Sequence, residues 1–271
     1  MNPTLSRRAL LLGGVGLAAG ACGVDLTPGR HSAKAEGSFT SAAMGGRRIG
    51  WTIAYPHGHL PGARLPVVIS LHGRGGNHRS SFTSLRLDDA LDSVVGSGTP
   101  AFAVAAVDGG DHSYWHRRTD GTDAGAMVRK EFVAQLADQG LDTSRLALFG
   151  WSMGGYGALL LAGKDRMPVR AVAVSSPALF TSGGATPAGA FDGAEDFDEH
   201  DVYGHPGWVR GMSVRVDCGR SDPFYTASRA YAAEVRPKPA GSFGAGGHDS
   251  RYWRAVAPAQ LRFLGARLAR T

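Results

Sequence analysis

A serine framed by two glycines, at the junction of two apolar stretches, constrains the fold of this chain more than any other feature. Gly150-Trp151-Ser152-Met153-Gly154 directly follows residues 146–149, which read as a buried strand, and directly precedes residues 155–162, which read as a helix. In such a turn the serine takes a strained conformation, and the glycines omit side chains that would clash. The pattern therefore predicts a nucleophilic Ser152 beside a helix N-terminus, whose free N–H groups stabilise an oxyanion.

Apolar runs rich in Val, Ile and Leu alternate with helix-like stretches along most of the chain. Strands are predicted at residues 49–55, 67–71, 102–107, 146–149, 169–174, 214–218 and near 241–243, and helices at 84–95, 124–139, 153–162, 223–234 and 251–268. Strands without polar alternation, separated by helices, predict a mostly parallel α/β sheet covered on both faces. Ligands of such sheets bind at the carboxyl ends of the strands.

A nucleophilic serine needs a base and an acid that orients the base. His248 is the only one of ten histidines that follows both Ser152 and the acid candidates, and it lies in a glycine-rich loop before the last helix. Asp222 follows a predicted strand, in a loop from which a carboxylate reaches an imidazole across the edge of the sheet. Asp217 is the rival, but it lies within the predicted strand. We therefore predict the order Ser152, Asp222, His248.

The loop after the strand at 67–71 reads His72-Gly73-Arg74-Gly75-Gly76. A second oxyanion donor is expected there, so the backbone N–H groups of Arg74 and Met153 are the predicted pair. The side chain of His72 is interpreted first as a buried residue that holds the turn. The side chain of Arg74 has two open interpretations, a substrate contact or a solvated surface residue.

Four segments in order, residues 71–77, 150–155, 219–224 and 247–253, together resemble the esterase D-like esterases and, more distantly, the mycolyltransferases of actinobacterial cell envelopes. The resemblance covers nearly all of the chain after about Ser38. It implies an α/β-hydrolase fold, with a substrate cleft bordered by residues 108–115. His72 stands where the mycolyltransferases carry an aspartate near the sugar, so the resemblance does not extend to a trehalose acceptor.

Other side chains are candidates for contact with a substrate. Residues 178–210 interrupt the alternation after the sixth strand and become acidic, which fits either a small cap over the site or a solvated loop with a short helix. The aromatic residues near the predicted site have two interpretations, the lining of an acyl pocket or ordinary packing at the edge of the sheet. They are Tyr114, Trp115, Trp151, Phe224 and Trp253. The predicted substrate-binding residues are His72, Asp111, Trp115, Trp151, Phe224 and Trp253.

The charge of the chain does not point to nucleic acid. Its net charge of +6 comes from dispersed residues with no basic run, and no nucleic-acid-binding motif accompanies them. His57 with His59, and His112 with His116, lack the partners of a metal motif and are interpreted as surface residues. We therefore predict no metal and no cofactor, and a small-molecule or lipid ester as the partner.

The N-terminus reads as a targeting segment. Arg7-Arg8 followed by a short apolar stretch predicts a twin-arginine signal over residues 1–22, residues 23–37 a flexible linker, and residues 38–271 the α/β-hydrolase domain. Ala19-Gly20-Ala21-Cys22 fits two outcomes, cleavage to a free extracellular protein or a lipid anchor on Cys22 that holds the protein at the cell envelope. That anchor is the only expected contact with a membrane. Cys218, in an apolar run, is predicted to be a buried thiol.

These features predict an exported serine hydrolase that cleaves carboxylic esters through an acyl-enzyme on Ser152. Three alternatives stay open. A peptidase would use the same triad to cleave amides. An acyltransferase would pass the acyl group to a sugar or lipid hydroxyl instead of water, and a non-catalytic protein of the same fold would bind the cell envelope.

Overall fold

Eight strands form one mixed sheet in the order β1-β2-β3-β5-β4-β6-β7-β8, in a computed structural model that describes residues 23–24 and 32–270. The strands are β1 (Gly23–Val24), β2 (Ala33–Ser41), β3 (Arg47–Tyr55), β4 (Pro66–Leu71), β5 (Ala103–Val107), β6 (Asp142–Trp151), β7 (Ala171–Ser175) and β8 (Ser213–Asp217). β1 to β3 pair antiparallel with one another, and β3 pairs antiparallel with β5. The remaining pairs, β5 with β4, β4 with β6, β6 with β7 and β7 with β8, are all parallel, which confirms the predicted mostly parallel α/β sheet.

Helices cover both faces of this sheet. They are α1 (Ser80–Thr83), α2 (Leu87–Gly96), α3 (Ala124–Ala126), a π-helical stretch (Met127–Phe132) that continues into α4 (Val133–Asp138), α5 (Met153–Gly163), α6 (Ala194–His200), α7 (Tyr225–Glu234) and α8 (Ser250–Leu268). Two 3₁₀ turns lie at Gly183–Ala185 and Pro206–Val209. Helix α5 is buried along all eleven residues, because it packs between the sheet and the chain that follows β7.

Successive residues of the central strands enter two different cores. Val67, Ile69 and Leu71 of β4 pack with α5, whereas Val68 packs with α2 and α8 on the opposite face. This alternation follows from the two-residue period of a strand. Because both faces are covered, every residue of β4 is buried.

The register brings five strand ends to one edge. Leu71 pairs with both Val107 and Gly150, and Trp151 pairs with Ser175, which pairs with Asp217. The loops that follow these residues therefore start side by side at the carboxyl edge of the parallel strands. They carry Ser152 and the segments in which the other site residues were predicted.

Two predictions about the strands need correction. The strand expected near residues 241–243 does not form a regular strand: Ala240 makes an isolated bridge to β8, Gly241 has φ +134°, and Ser242 and Gly244 accept single hydrogen bonds from the N–H groups of Cys218 and Arg220. In addition, β2 begins at Ala33, inside the segment predicted as a linker, because its backbone pairs with β3 over its whole length. A small residue is required there, since the ring of Trp51 occupies the space of a side chain on Gly37.

The predicted signal segment lies outside the described residues, including Arg7, Arg8 and Cys22. Within the part of the chain that the structure describes, none of the helices combines the length and the apolar character that a membrane span requires. Cys218 is buried, as predicted.

Candidate active site

Ser152 lies in a sharp turn between β6 and α5. Its backbone has φ +53° and ψ −120°, a conformation that a non-glycine residue rarely adopts. The turn is tight because β6, α5 and the end of β4 meet there. A Cβ atom on Gly154 would lie 1.9 Å from the carbonyl oxygen of Leu71, and one on Gly150 would lie 2.1 Å from that of Gly154. Only glycine fits at these two positions, which is what holds the serine in its strained conformation.

The structure brings Ser152, His248 and Asp222 together. The Nε2 atom of His248 lies 2.9 Å from Oγ of Ser152, and its Nδ1 atom lies 2.9 Å from Oδ2 of Asp222. An ionised carboxylate only accepts hydrogen bonds, so Nδ1 carries the proton and Nε2 is left to accept the proton of the serine. Asp222 has a fully buried side chain, whereas His248 is partly exposed at the surface of the site.

The surroundings of Asp222 keep it ionised. Burial acts to raise its pKa, but hydrogen bonds from His248, Ser176 and the backbone N–H of Phe224 outweigh burial and lower the pKa. The N–H of Phe224 donates to Oδ1 over 2.8 Å. A carboxylate held in this way keeps the imidazole in one tautomer and stabilises the imidazolium that forms when His248 takes a proton.

Asp217, the rival acid, has a different set of partners. It accepts two hydrogen bonds from the guanidinium of Arg215, at 2.7 and 2.8 Å, and one from the side chain of Gln260 at 3.0 Å. The backbone N–H of Ser242 donates to it as well, over 2.9 Å. These bonds join β8 to the chain after α7 and to α8, so Asp217 is an internal brace of the sheet.

The two predicted oxyanion donors flank the serine. Met153 is the first residue of α5, and its backbone N–H has no partner among the described residues. The backbone N–H of Arg74 has none either. The loop that carries it lies against the turn, since a Cβ atom on Gly73 would be 3.4 Å from the Cβ atom of Ser152. Two unpaired N–H groups beside a nucleophile are what an oxyanion hole requires.

Two cavities adjoin this group, and Arg74, Ser152 and His248 line both of them. The polar cavity, of about 620 Å³, lies between the loop after β4 and the start of α8. Besides Ser152 and His248 it is lined by Gly73, Arg74, Gly75, Gly76, Ser80, Thr83, Ser84, Trp151, Asp249, Ser250, Trp253 and Arg254. Glycine, hydroxyl and guanidinium groups make up most of this wall.

The aromatic cavity is smaller, about 350 Å³, and lies under residues 178–187. Besides Arg74, Ser152 and His248 it is lined by Tyr114, Ala178, Phe180, Ala185, Thr186, Pro187 and Phe224. The ring of Phe180 packs edge to face on that of Phe224, with centroids 5.5 Å apart. The first part of residues 178–210, up to Pro187, therefore forms one wall of the site, as expected for a cap, and the segment also contains the short helix α6.

The predicted substrate-binding residues divide into two groups. Trp151 and Trp253 line the polar cavity, and Phe224 lines the aromatic cavity. The remaining three do not line either cavity. The substrate-binding role predicted for His72 and Trp115 is corrected, because both side chains are buried and neither lines a cavity beside Ser152. The other interpretation of His72, a buried residue that holds the turn, agrees with the structure.

His72 and Trp115 act instead as packing residues behind the site. His72 accepts a hydrogen bond from the N–H of Gly109 over 2.9 Å and lies 2.8 Å from the carbonyl of Gly73. Trp115 packs against Gly109 and Gly157, and a Cβ atom on either would overlap its ring. Asp111 lies in a separate cavity of about 330 Å³ that Ser152 does not line.

His116 is not the surface residue that was predicted. It is buried, and its ring stacks on that of His200 with centroids 4.3 Å apart. The Nδ1 atoms of His116 and His200 lie 3.5 and 3.0 Å from Oδ1 of Asp196. Among the described residues these three are the group whose donor atoms could hold a cation.

Hydrogen bonds occupy the same nitrogen atoms. Nδ1 of His116 lies 2.8 Å from the carbonyl of Arg117, and Nδ1 of His200 lies 2.8 Å from the carbonyl of Asp196. Both atoms therefore carry protons in this arrangement. The group ties α6 to the loop after β5, at a distance in sequence of about eighty residues, and it borders neither cavity beside Ser152.

Sequence reasoning missed three residues of the site. Ser176 follows β7 directly, and its place after a strand, like that of the other site residues, was the available signal. Arg254 lies four residues after Ser250 on α8, so both residues face the polar cavity, and this helical spacing could have been recognised. Phe180 lies in the irregular cap, where no periodicity marks it.

Comparisons with known proteins agree with this architecture. Residues 41–264 match the model of the Esterase family, whose description is "Putative esterase". Among solved structures, a ferulic acid esterase is 20% identical with a TM-score of 0.75, and the match covers 88% of this chain and 98% of that chain. An S-formylglutathione hydrolase from Agrobacterium tumefaciens is 15% identical with a TM-score of 0.73, covering 91% and 99%.

A third solved structure, MPT51 (FbpC1) from Mycobacterium tuberculosis, is 19% identical with a TM-score of 0.64, covering 85% of this chain and 99% of that chain. No curated protein matches the chain. At these identities the structural likeness shows the fold, whereas the family match spans most of the sequence. The chain therefore belongs to the Esterase family and is a carboxylic-ester hydrolase with the α/β-hydrolase fold.

Proposed function

We propose that the protein hydrolyses carboxylic esters in two steps, through an acyl-enzyme on Ser152. The observation that carries the proposal is the position of His248, which lies 2.9 Å from both the nucleophile and the orienting acid. Such a chain of two hydrogen bonds transfers a proton away from the serine as its oxygen attacks.

In the first step, Nε2 of His248 takes the proton of Ser152 while Oγ bonds to the carbonyl carbon of the ester. The oxyanion that forms accepts hydrogen bonds from the backbone N–H groups of Arg74 and Met153. The bond to the alcohol oxygen then breaks, and His248 gives its proton to the departing alcohol. In the second step water loses a proton to His248 and attacks the acyl-enzyme, which releases the acid and returns the proton to Ser152.

The two cavities support a division of the substrate between them. The acyl group stays bound to Ser152 between the steps, and the aromatic cavity offers an apolar group the rings of Tyr114, Phe180 and Phe224. The alcohol has to leave and be replaced by water beside His248, and the polar cavity is larger and lined by hydrophilic groups. We therefore assign a short or aromatic acyl group to the aromatic cavity and the alcohol to the polar cavity.

Hydrolysis of 4-nitrophenyl esters of graded chain length tests this proposal. The wild type, Ser152→Ala and the control Ser182→Ala, an exposed serine of the cap outside both cavities, are compared on each ester and with a fluorophosphonate probe. We expect Ser152→Ala alone to lose both turnover and labelling, and turnover of the wild type to fall once the acyl group exceeds the volume of the aromatic cavity. A wild type that neither turns over nor is labelled would contradict the serine mechanism.

Acyl transfer is the second candidate, and the size of the polar cavity favours it. A space of about 620 Å³ beside Ser152 holds a sugar or lipid hydroxyl as readily as water. The two reactions share the acyl-enzyme and differ only in the acceptor. Analysis of the products with and without added alcohols separates them, since transfer yields a new ester and hydrolysis yields only the free acid.

We also propose that the protein is exported by the twin-arginine route and reaches the cell envelope or the medium. Support comes from Arg7-Arg8, the apolar stretch that follows and the Ala19-Gly20-Ala21-Cys22 sequence. Replacing both arginines with lysine is expected to keep the protein inside the cell. Cys22→Ala is expected to release it from the membrane fraction if Cys22 carries a lipid, and to leave its distribution unchanged if the mature protein is free.

A further inference from the structure

Two guanidinium groups at the polar cavity lack the counter-charge that their neighbours have. Arg79 and Arg86, which follow Arg74 in the segment after β4, pair with Glu36 at 2.7 Å and Asp89 at 2.6 Å. Arg74 and Arg254 line the cavity itself, and among the described residues no carboxylate lies within ion-pair distance of either. The cavity beside Ser152 therefore carries two positive charges that the protein does not neutralise by direct pairing.

Arg254 is held in place on the wall of the cavity. Its Nε atom donates a hydrogen bond of 2.5 Å to the carbonyl of Ser84, a residue that lines the same cavity. This bond uses one edge of the planar guanidinium and leaves its other N–H groups available to a ligand. Arg74 makes no side-chain hydrogen bond within the described residues and projects from the loop that also supplies an oxyanion donor.

The only carboxylate in the wall of the polar cavity caps a helix and pairs with neither arginine. Asp249 caps the N-terminus of α8, and its Oδ1 atom accepts a hydrogen bond of 2.9 Å from the backbone N–H of Tyr252. The N-terminus of α8 carries a partial positive charge from the helix dipole, and this charge offsets part of the negative charge of Asp249. The balance of charge around an occupant of the cavity is therefore positive.

We propose that the polar cavity recognises an anionic group, a carboxylate or a phosphate, on the alcohol half of the ester. This inference rests on the hydrolysis and on the assignment of the alcohol to the polar cavity proposed above. Arginine binds both anions through paired N–H groups, and two arginines from different segments would hold the anion while the ester carbonyl lies at Ser152. The aromatic cavity, whose lining contains no carboxylate and no cationic side chain other than the shared Arg74, receives the uncharged acyl half.

Matched pairs of butyrate esters test the proposal. One pair is 4-butyryloxy-3-nitrobenzoate and its neutral carboxamide, which release a coloured phenol. A second pair, butyryl glycerol 3-phosphate and butyryl glycerol, distinguishes phosphate from carboxylate. We expect kcat/KM to be about tenfold higher for the anionic member of at least one pair at low salt, and the preference to shrink as ionic strength rises.

Variants show whether the two arginines cause that preference. Arg254→Gln and Arg74→Gln, the latter with its backbone N–H intact, are each expected to reduce the ratio of anionic to neutral kcat/KM at least threefold, mainly through KM. Arg251→Gln, an exposed residue of the same helix that lies outside the cavity, is expected to keep the wild-type ratio.

Three results would overturn the inference. A wild type that hydrolyses both members of each pair equally contradicts anion recognition while leaving the hydrolysis proposal intact. A preference that survives in both arginine variants contradicts the assigned site. A preference for an anion on the acyl half, measured with 4-nitrophenyl hemisuccinate against its methyl ester, contradicts the assigned direction. If the hydrolysis proposal itself were wrong, the result would be different: no ester would be turned over and the fluorophosphonate would not label the protein.

Discussion

The indole Nε1 of Trp253 donates a 3.0 Å hydrogen bond to the hydroxyl of Ser176. An indole N–H is only a donor, so the serine hydroxyl accepts from it and directs its own proton elsewhere. Ser176 is one of the groups that lower the pKa of Asp222. Trp253 also packs its ring directly on that of His248, with centroids 5.1 Å apart.

Ser176→Ala is expected to reduce kcat/KM about fivefold, since a lost hydrogen bond of this kind is worth roughly 1 kcal/mol. Without it, Asp222 is more basic and holds the imidazolium of His248 more strongly. The acid limb of the pH profile of kcat/KM should therefore move to higher pH. Ser175→Ala is the matched control, because its hydroxyl bonds Gln260 and not Asp222. A limb that moves equally in both variants would contradict the role of Ser176.

Substitutions of the two buried aspartates at the carboxyl edge of the sheet are expected to have different effects, on kcat at Asp222 and on stability at Asp217. Asp222→Asn is expected to lower kcat by roughly 10³–10⁴-fold with little change in melting temperature, because the imidazole loses its tautomer. Asp217→Asn leaves the guanidinium of Arg215 with a weakened partner, and a broken buried ion pair costs roughly 3–5 kcal/mol. Steady-state kinetics and thermal unfolding on both variants check this. Equal losses of kcat in the two would mean that the acid is wrongly assigned.

Gly154→Ala is expected to destabilise the fold strongly, although it adds only one methyl group. The new Cβ atom would lie 1.9 Å from the carbonyl oxygen of Leu71, which belongs to the central strand and has no room to move. We expect little folded protein, and no activity in what remains. Gly96→Ala, at the end of α2 with open space around it, is expected to stabilise the protein by about 0.5–1 kcal/mol. Soluble yield and melting temperature give the comparison, and normal values for Gly154→Ala would refute the tight turn.

Stability should fall as the solution becomes mildly acidic. Burial lowers the pKa of His72, and it lowers those of His78 and His116 as well. In the unfolded chain a histidine titrates near pH 6.5, so below about that pH the unfolded chain binds more protons than the folded one. The stabilisation is complete above pH 6.5 and is lost as the pH falls from there toward the lower folded pKa values.

Urea unfolding between pH 7.5 and 5.5 measures this dependence. Each such histidine contributes at most about 1.4 kcal/mol per pH unit to the slope of the unfolding free energy. His72→Asn is expected to flatten the slope, whatever it does to stability at pH 7.5. A variant with the same slope as the wild type would show that His72 does not contribute to it.

Much of the site followed from local order along the chain. Ser152 was identifiable because strand, glycine and helix signals converge on five residues, and His248 because chain order left no other histidine. The placement of Asp222 in a loop after a strand, rather than inside one, matches its hydrogen bond to His248 in the structure. The parallel sheet followed from apolar runs without alternation.

Contacts between distant segments could not be predicted in the same way. The pairing of His116 with His200 depends on how the cap folds back onto the loop after β5, and neither segment has a period that encodes it. Trp115 was predicted to contact the substrate because its sequence neighbours border the expected cleft. Its ring is instead buried, since the absence of side chains at Gly109 and Gly157 leaves room for it in the interior. The positive φ of Gly241, within a run that was predicted as a strand, is likewise a feature that composition does not reveal.

The polar and aromatic cavities have only Arg74, Ser152 and His248 in common. The other residues of the aromatic wall are Tyr114, Phe224 and five residues of the cap. The other residues of the polar wall come from the segment between β4 and α2, the end of β6, and the start of α8 with the residue before it. Changes in the two sets are expected to add where the altered residues share no partner, whereas Trp253 and Phe224 both pack on the ring of His248 and are expected to couple. Under the proposed assignment of acid and alcohol, evolution or a combinatorial library would alter the preference for each half of the ester largely through different residues, with Arg74 as a residue that affects both.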